Sequence, residues 1–148
     1  FASMFDGKIF QNPQGGPGIS IFARPFRGSI AEDYASKRAL EQNYRRLRPD
    51  APLPSVADIA GMARKGDAVS IWVFEEFGSA LGEILRDICI ENRFELLLLG
   101  GAISKSADLF LPAMKKAMYG KQIPQIRPAE DPDNAPLLGT VRAILQTY

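Results

Sequence analysis

Gly100 and Gly101 close the apolar run at residues 94–99 and offer the chain's best place for a ligand to meet bare backbone. Neither carries a Cβ, so the backbone can turn sharply there and let a ligand lie almost against it. Ser104 or Ser106 can open a helix directly behind the turn. Strand, glycine turn and helix recur throughout α/β proteins and most such turns bind nothing, so spacing alone favours a structural turn. Glu32 stands three residues after Ser29, the spacing of a capping box, which gives that carboxylate a structural role as well. Cys89 is the only cysteine and falls on an apolar helical face, so it reads as a small core residue, neither disulfide nor nucleophile. Histidine is absent from the sequence, which excludes Ser/His and Cys/His catalysis and every histidine metal site within it.

Hydrophobic periodicity predicts the helices and strands around these residues. From Asp67 the apolar residues Val69, Trp72, Val73, Phe77, Ala80, Leu81, Ile84, Leu85, Ile88 and Cys89 recur at helical spacing, predicting one long helix capped by Asp67. Glu91, Asn92 and Arg93 form its polar exit, and residues 94–99 run out as a buried strand. Behind the glycines, Leu109, Phe110, Ala113, Met114, Ala117 and Met118 predict a second helix.

Earlier in the chain, Asp6-Gly7 is a strong hairpin signal between residues 1–5 and Lys8-Ile9-Phe10. A chain that opens on Phe already in a strand reads as a fragment whose earlier part is absent. Residues 11–18 form a loop, residues 19–22 a short strand ended by Arg24 and Pro25, and residues 30–47 a helix with Ser29 as its cap. A proline-rich connection leads to a short helix, Val56–Arg64, capped by Ser55 with Asp58 in its first turn. Near the end, Ile123 and Ile126 belong to a short strand that Pro124 demotes to an edge, residues 128–136 form a polar loop and residues 137–148 a last helix.

At 148 residues with 46% hydrophobic and 24% charged side chains, the chain can bury one ordinary core, so one domain is expected. A net charge of +1 gives no general reason to expect nucleic acid or an anionic membrane. Arg45, Arg46 and Arg48 form the one local basic cluster, at a helix end where cations suit the dipole. No apolar run approaches membrane-spanning length and no signal peptide opens the chain, so a cytoplasmic protein is expected. Helices alternating with short strands make an α/β layer arrangement, whose ligands tend to sit at strand carboxyl ends, where Gly100 and Gly101 are.

Several patterns, in order along nearly the whole chain, resemble the C-terminal half of the ROK family of bacterial sugar kinases and sugar-responsive repressors. Met4-Phe5-Asp6-Gly7-Lys8-Ile9 is similar to the hairpin after the family's second phosphate-binding loop. Glu32-Asp33-Tyr34-Ala35-Ser36 resembles its Glu-X-Tyr-Ala-Ser segment, and Ala63-Arg64-Lys65-Gly66-Asp67-Ala68 its step into the long helix. Leu97-Leu98-Leu99-Gly100-Gly101-Ala102-Ile103-Ser104 resembles its apolar strand and glycine pair, and Pro136-Leu137-Leu138-Gly139-Thr140 the start of its terminal helix.

The resemblance implies an actin-like ATPase (ribonuclease H-like) fold, with residues 1–148 as the C-terminal lobe and the N-terminal lobe outside this chain. It makes Gly100, Gly101, Ile103 and Ser104 the nucleotide-side candidates and Glu32 a ligand of sugar hydroxyls, with ATP and magnesium serving the full-length protein. No catalytic residue is expected here, because the family's aspartate base and phosphate loops lie upstream, so this chain alone should not transfer phosphate. Most sugar-phosphorylating members carry a Gly-Glu-X-Gly-His element followed by zinc-binding cysteines. Here the stretch is Gly15-Gly16-Pro17-Gly18-Ile19-Ser20, so zinc is not expected and two usual sugar ligands are replaced. Two functions follow: the lobe of a sugar kinase, or a non-catalytic repressor sensor or inactive paralogue that binds sugar. A homodimer through the long helix is expected, with Trp72 and Phe74 on different sides of it. Nucleic acid is expected as a partner only if a helix-turn-helix domain precedes the chain.

Overall fold

The structure, a computed structural model, describes residues 2–120, 123–131 and 134. Strands β1 (Ser3–Phe5) and β2 (Lys8–Phe10) pair antiparallel, with Met4 opposite Ile9. Asp6 (φ 48°) and Gly7 (φ 75°) turn the hairpin, both left-handed as a two-residue loop between twisted strands requires. Asn12 closes the next loop, its side-chain oxygen accepting from the amides of Gln14 and Gly16 at 3.0 and 2.9 Å.

No strand forms at residues 19–22. The pairing falls instead between β3 (Pro25–Phe26) and β4 (Ser29–Ile30), turned by Arg27 (φ 45°) and Gly28 (φ 84°). The Phe22 carbonyl, which a strand would commit to a ladder, accepts from the Glu32 amide at 3.0 Å. The following helix also starts later than its apolar pattern implies. Ser29 lies in β4 and cannot cap, its hydroxyl donating to Asp33, and residues Ala31–Asp33 make one 3-10 turn. Helix α1 then spans Lys37–Leu47, capped by Ser36, whose hydroxyl accepts from the Ala39 amide at 3.2 Å. The capping box expected at Ser29 and Glu32 is therefore absent.

Helix α2 (Val56–Arg64) carries the expected cap in full, with Ser55 and Asp58 bonding reciprocally. Helix α3 (Ala68–Asn92) is capped by Asp67, which accepts from the Ser70 amide at 2.9 Å, and ends at Arg93 in the left-handed conformation (φ 52°). Its inner face buries Val73, Phe74, Phe77, Ile84, Leu85, Ile88 and Cys89. Trp72 departs from the expected apolar face: it is exposed and lies under the Arg46 guanidinium, 5.5 Å from the ring centroid. Arg48, beyond the α1 terminus, pairs with the Asp67 cap and so joins α1 to the start of α3.

Strand β5 (Leu96–Leu99) is shorter and less buried than its composition implies. Leu97 is covered, but Leu98 on the opposite face is 58% exposed. Side chains alternate across a strand, and only the face toward α3 and α4 joins the core. After a 3-10 segment (Ala102–Ser106), α4 (Ala107–Ala117) returns the chain to β6 (Gln125–Pro128), which pairs parallel to β5 with Leu97 opposite Ile126. The parallel crossover requires the helix between the strands. Among the described residues the strands form three two-stranded pieces, two antiparallel and one parallel. The helix expected at residues 137–148 lies outside the described residues.

Helices α3 and α4 make the closest contact. A Cβ at Gly78 would lie 2.2 Å from the Phe110 carbonyl oxygen, and one at Gly82 2.4 Å from that of Met114. The bare backbone lets the helices approach until Phe77 meets Phe110 edge to face, ring centroids 5.1 Å apart.

Candidate functional site

The glycine turn is built by the end of β5. Gly101 has φ 80° and ψ 171°, a region that only glycine enters without strain. A Cβ placed on it would meet nothing within 4 Å, so the space in front of the turn is open. The Gly101 carbonyl accepts from both the Ser104 amide, at 3.1 Å, and the Ser104 hydroxyl, at 2.7 Å. Ser104 is thus buried and turned inward, locking the turn. Ile103 is half-buried against the core, and Gly100 is exposed. The amides of Ala102 and Ile103 have no acceptor among the described residues, as expected for the first residues of a helical segment.

Glu32 lies elsewhere, in the 3-10 turn after β4. It is exposed, and its carboxylate makes no hydrogen bond or ion pair with any described residue. Its neighbours are fully engaged: Asp33 accepts from Ser29 and Arg38, and Ala31 is buried. The Ser29 hydrogen bond, ahead of the Arg38 charge, holds the Asp33 carboxyl below the usual carboxylate range. No hydrogen bond or ion pair among the described residues joins Glu32 to the Gly101 turn.

The residue that sequence reasoning missed is Arg27. From the β3–β4 turn its guanidinium donates to Glu76 and Glu83 of α3, each at 2.6 Å, and stacks 5.0 Å from the Phe26 ring centroid and 5.9 Å from that of Tyr34. The Glu83 hydrogen bond is the chief reason its pKa rises above the ordinary arginine value. Partners 49 and 56 residues away leave no local signal in the sequence.

Burial pushes the Cys89 thiol up to about 11, so it is a protonated, inert core group at neutral pH, as its place on the apolar face implies. A cleft of about 600 Å³ lies between the first hairpin and β5, lined by Met4, Phe5, Phe94, Leu96 and Leu98, and includes neither Glu32 nor the glycine turn. Among the described residues no group of three or more acidic, cysteine or histidine side chains is placed to hold a metal. No helix among them is long and apolar enough to cross a membrane.

The sequence profile of the ROK family matches residues 25–147. This chain belongs to the ROK family. Solved structures agree on the fold. A candidate sugar kinase from Cytophaga hutchinsonii is 28% identical, with a TM-score of 0.82 over 99% of this chain and 54% of its own. A ROK family glucokinase from Streptomyces griseus, in complex with glucose and AMPPNP, is 20% identical with a TM-score of 0.82 over 97% of this chain and 55% of its own. A ROK family transcriptional regulator, a homologue of the E. coli MLC protein, is 20% identical with a TM-score of 0.69 over 83% of this chain and 36% of its own. The chain therefore has the actin-like ATPase (ribonuclease H-like) fold, with packed helices and small sheets, and spans about half the length of the first two of these proteins. No curated protein matches it significantly.

Proposed function

We propose that this chain is the C-terminal lobe of an ATP-dependent sugar kinase, binding nucleotide at the glycine turn and sugar through Glu32. The observation that carries the reading is Gly101, held in a glycine-only conformation with open space around the missing Cβ and followed by two amides without an acceptor among the described residues. An anionic or hydroxyl-rich group can reach that backbone only because no side chain intervenes. Ile103 supplies an apolar wall, and Ser104 acts by fixing the turn. ATP supplies the phosphoryl group; everything this chain contributes is binding and orientation, with the base that deprotonates the sugar hydroxyl in the other lobe. Magnesium enters with the nucleotide, whose phosphates it bridges.

Glu32 is suited to its role because a carboxylate with no internal partner can accept from two neighbouring hydroxyls at once. The relative solved with glucose and AMPPNP supports the ligand classes. We place the protein in the cytoplasm, as a homodimer through α3.

A second reading is a non-catalytic sugar sensor or inactive paralogue. The loop at residues 12–18 favours it: Asn12 satisfies the loop's own amides, and neither glutamate nor histidine stands there to meet a sugar. The relative described as a transcriptional regulator has the same fold. Titration of the full-length protein with Mg-ATP and a panel of hexoses and amino sugars, followed by coupled turnover, separates the two. Sugar-dependent turnover is expected; sugar binding without nucleotide binding would make the protein a sensor.

A further inference from the structure

We infer that Arg27 is a positioning residue for Glu32, fastening the loop that carries this carboxylate to the long helix; the inference rests on the reading of Glu32 as a sugar ligand. The β3–β4 hairpin has two residues in each strand, too few to hold a fixed position by its own ladder. Its turn also places a non-glycine residue, Arg27, at φ 45°, a conformation disfavoured unless the surroundings hold it. The surroundings do so on three sides. Glu76 and Glu83, two turns apart on α3, each accept from one end of the guanidinium at 2.6 Å. Phe26 and Tyr34 lie against it, edge to face with each other at 5.1 Å between centroids. The Tyr34 hydroxyl donates to the Arg27 carbonyl at 3.0 Å.

Glu32 is enclosed by these fastenings. Tyr34, two residues after it, is one wall of the clamp. Before it, the Ala31 amide donates to Arg24 at 2.8 Å, and its own amide donates to Phe22 at 3.0 Å. Backbone and neighbours of Glu32 are thus tied to the hairpin, and the hairpin turn to α3 through Arg27; Arg24, just before β3, adds only a long, exposed ion pair of 3.9 Å to Glu91 at the far end of that helix. The carboxylate alone is left without a partner among the described residues. A ligand group held this way meets its substrate already oriented, and a small displacement costs affinity steeply.

The test compares Arg27→Ala, Arg27→Lys, the double variant Glu76→Gln/Glu83→Gln and Glu32→Gln in the full-length protein. Sugar and AMPPNP affinities are measured by calorimetry, and amide hydrogen exchange is followed at Ala31 and Glu32. Arg27→Ala is expected to weaken sugar binding roughly ten-fold while AMPPNP affinity stays within about two-fold. Exchange at Ala31 and Glu32 should quicken, with the α3 core amides unchanged. The double variant should behave alike. Arg27→Lys should recover part of the loss, because an ammonium reaches one glutamate but cannot fork to two. Unchanged exchange at Ala31 and Glu32 in Arg27→Ala overturns the inference. So does a parallel loss of sugar and nucleotide affinity, which would make the clamp a stability element only. If Glu32→Gln loses sugar binding while Arg27→Ala keeps it, the positioning role fails and the reading of Glu32 stands. If Glu32→Gln binds sugar normally, the reading of Glu32 fails first.

Discussion

Where α3 meets α4, contact is backbone against backbone: Gly78 and Gly82 lie under the carbonyls of Phe110 and Met114, and aromatic rings fill the flanks. Where the β3–β4 hairpin meets the same helix, contact is chiefly one guanidinium between two partly exposed glutamates, with the longer Arg24–Glu91 pair beside it. The first contact is steric and apolar, indifferent to pH and salt, and fails only if a side chain is forced into it. The second is electrostatic and local, so it can be loosened without unfolding anything beneath it. The molecule thus has a rigid helical layer and, fastened to it, a light loop in which the Glu32 carboxylate has no partner among the described residues.

The largest expected effect lies at the helix pair. Gly78→Ala and Gly82→Ala should each cost about 3 kcal/mol in urea unfolding, since the added methyl would meet a carbonyl that cannot move without its helix. Near-normal stability in both would mean that the close approach is not the contact that holds α3 and α4.

Next comes the junction of α1 with α3. The Ser70 hydroxyl, then the Ser70 amide and Arg48, hold the Asp67 carboxyl below the usual carboxylate range. A depressed folded-state pKa gives stability that is complete above the unfolded-state value and lost as pH falls through the folded one. The urea midpoint should therefore fall as pH drops below about 4. Asp67→Ala should start lower at neutral pH and lose less across that window, and identical pH profiles for the two proteins would remove the cap from the account.

Glycines without such contacts should behave oppositely. A Cβ at Gly61, inside α2, would meet nothing within 4 Å, so Gly61→Ala should stabilise the chain by about 0.5–1 kcal/mol. Smallest of all, Leu98→Thr should change stability by no more than about 0.5 kcal/mol, because that face of β5 is open. A large loss there would show that the open face is covered in solution.

The helical layer was legible because its signals are local. Asp67, Ser55 with Asp58, and the spacing from Val69 to Cys89 each determine structure within a few residues. Asp6-Gly7 fixed the first hairpin in the same way. Arg27-Gly28 did not announce the second, since arginine is not a usual left-handed residue and its reasons for being one sit on another element. Residues 30–47 carry helical spacing throughout, yet the first of them are in a strand and a 3-10 turn because hydrogen bonds to Phe22 and Arg24 win there. Gly78 and Gly82 stand four apart in plain view, but their purpose depends on a partner helix that spacing does not locate. The glycine turn and Glu32 were visible as residues, whereas the open space before one and the clamp behind the other are properties of the fold.

Nucleotide binding at the glycine turn is tested by calorimetric titration of full-length wild type and Gly101→Val with AMPPNP and with sugar. A side chain at φ 80° and ψ 171° both strains the turn and fills the space before it. Gly101→Val is expected to lose nucleotide binding and to keep sugar binding. Equal nucleotide affinity in the two proteins would contradict it.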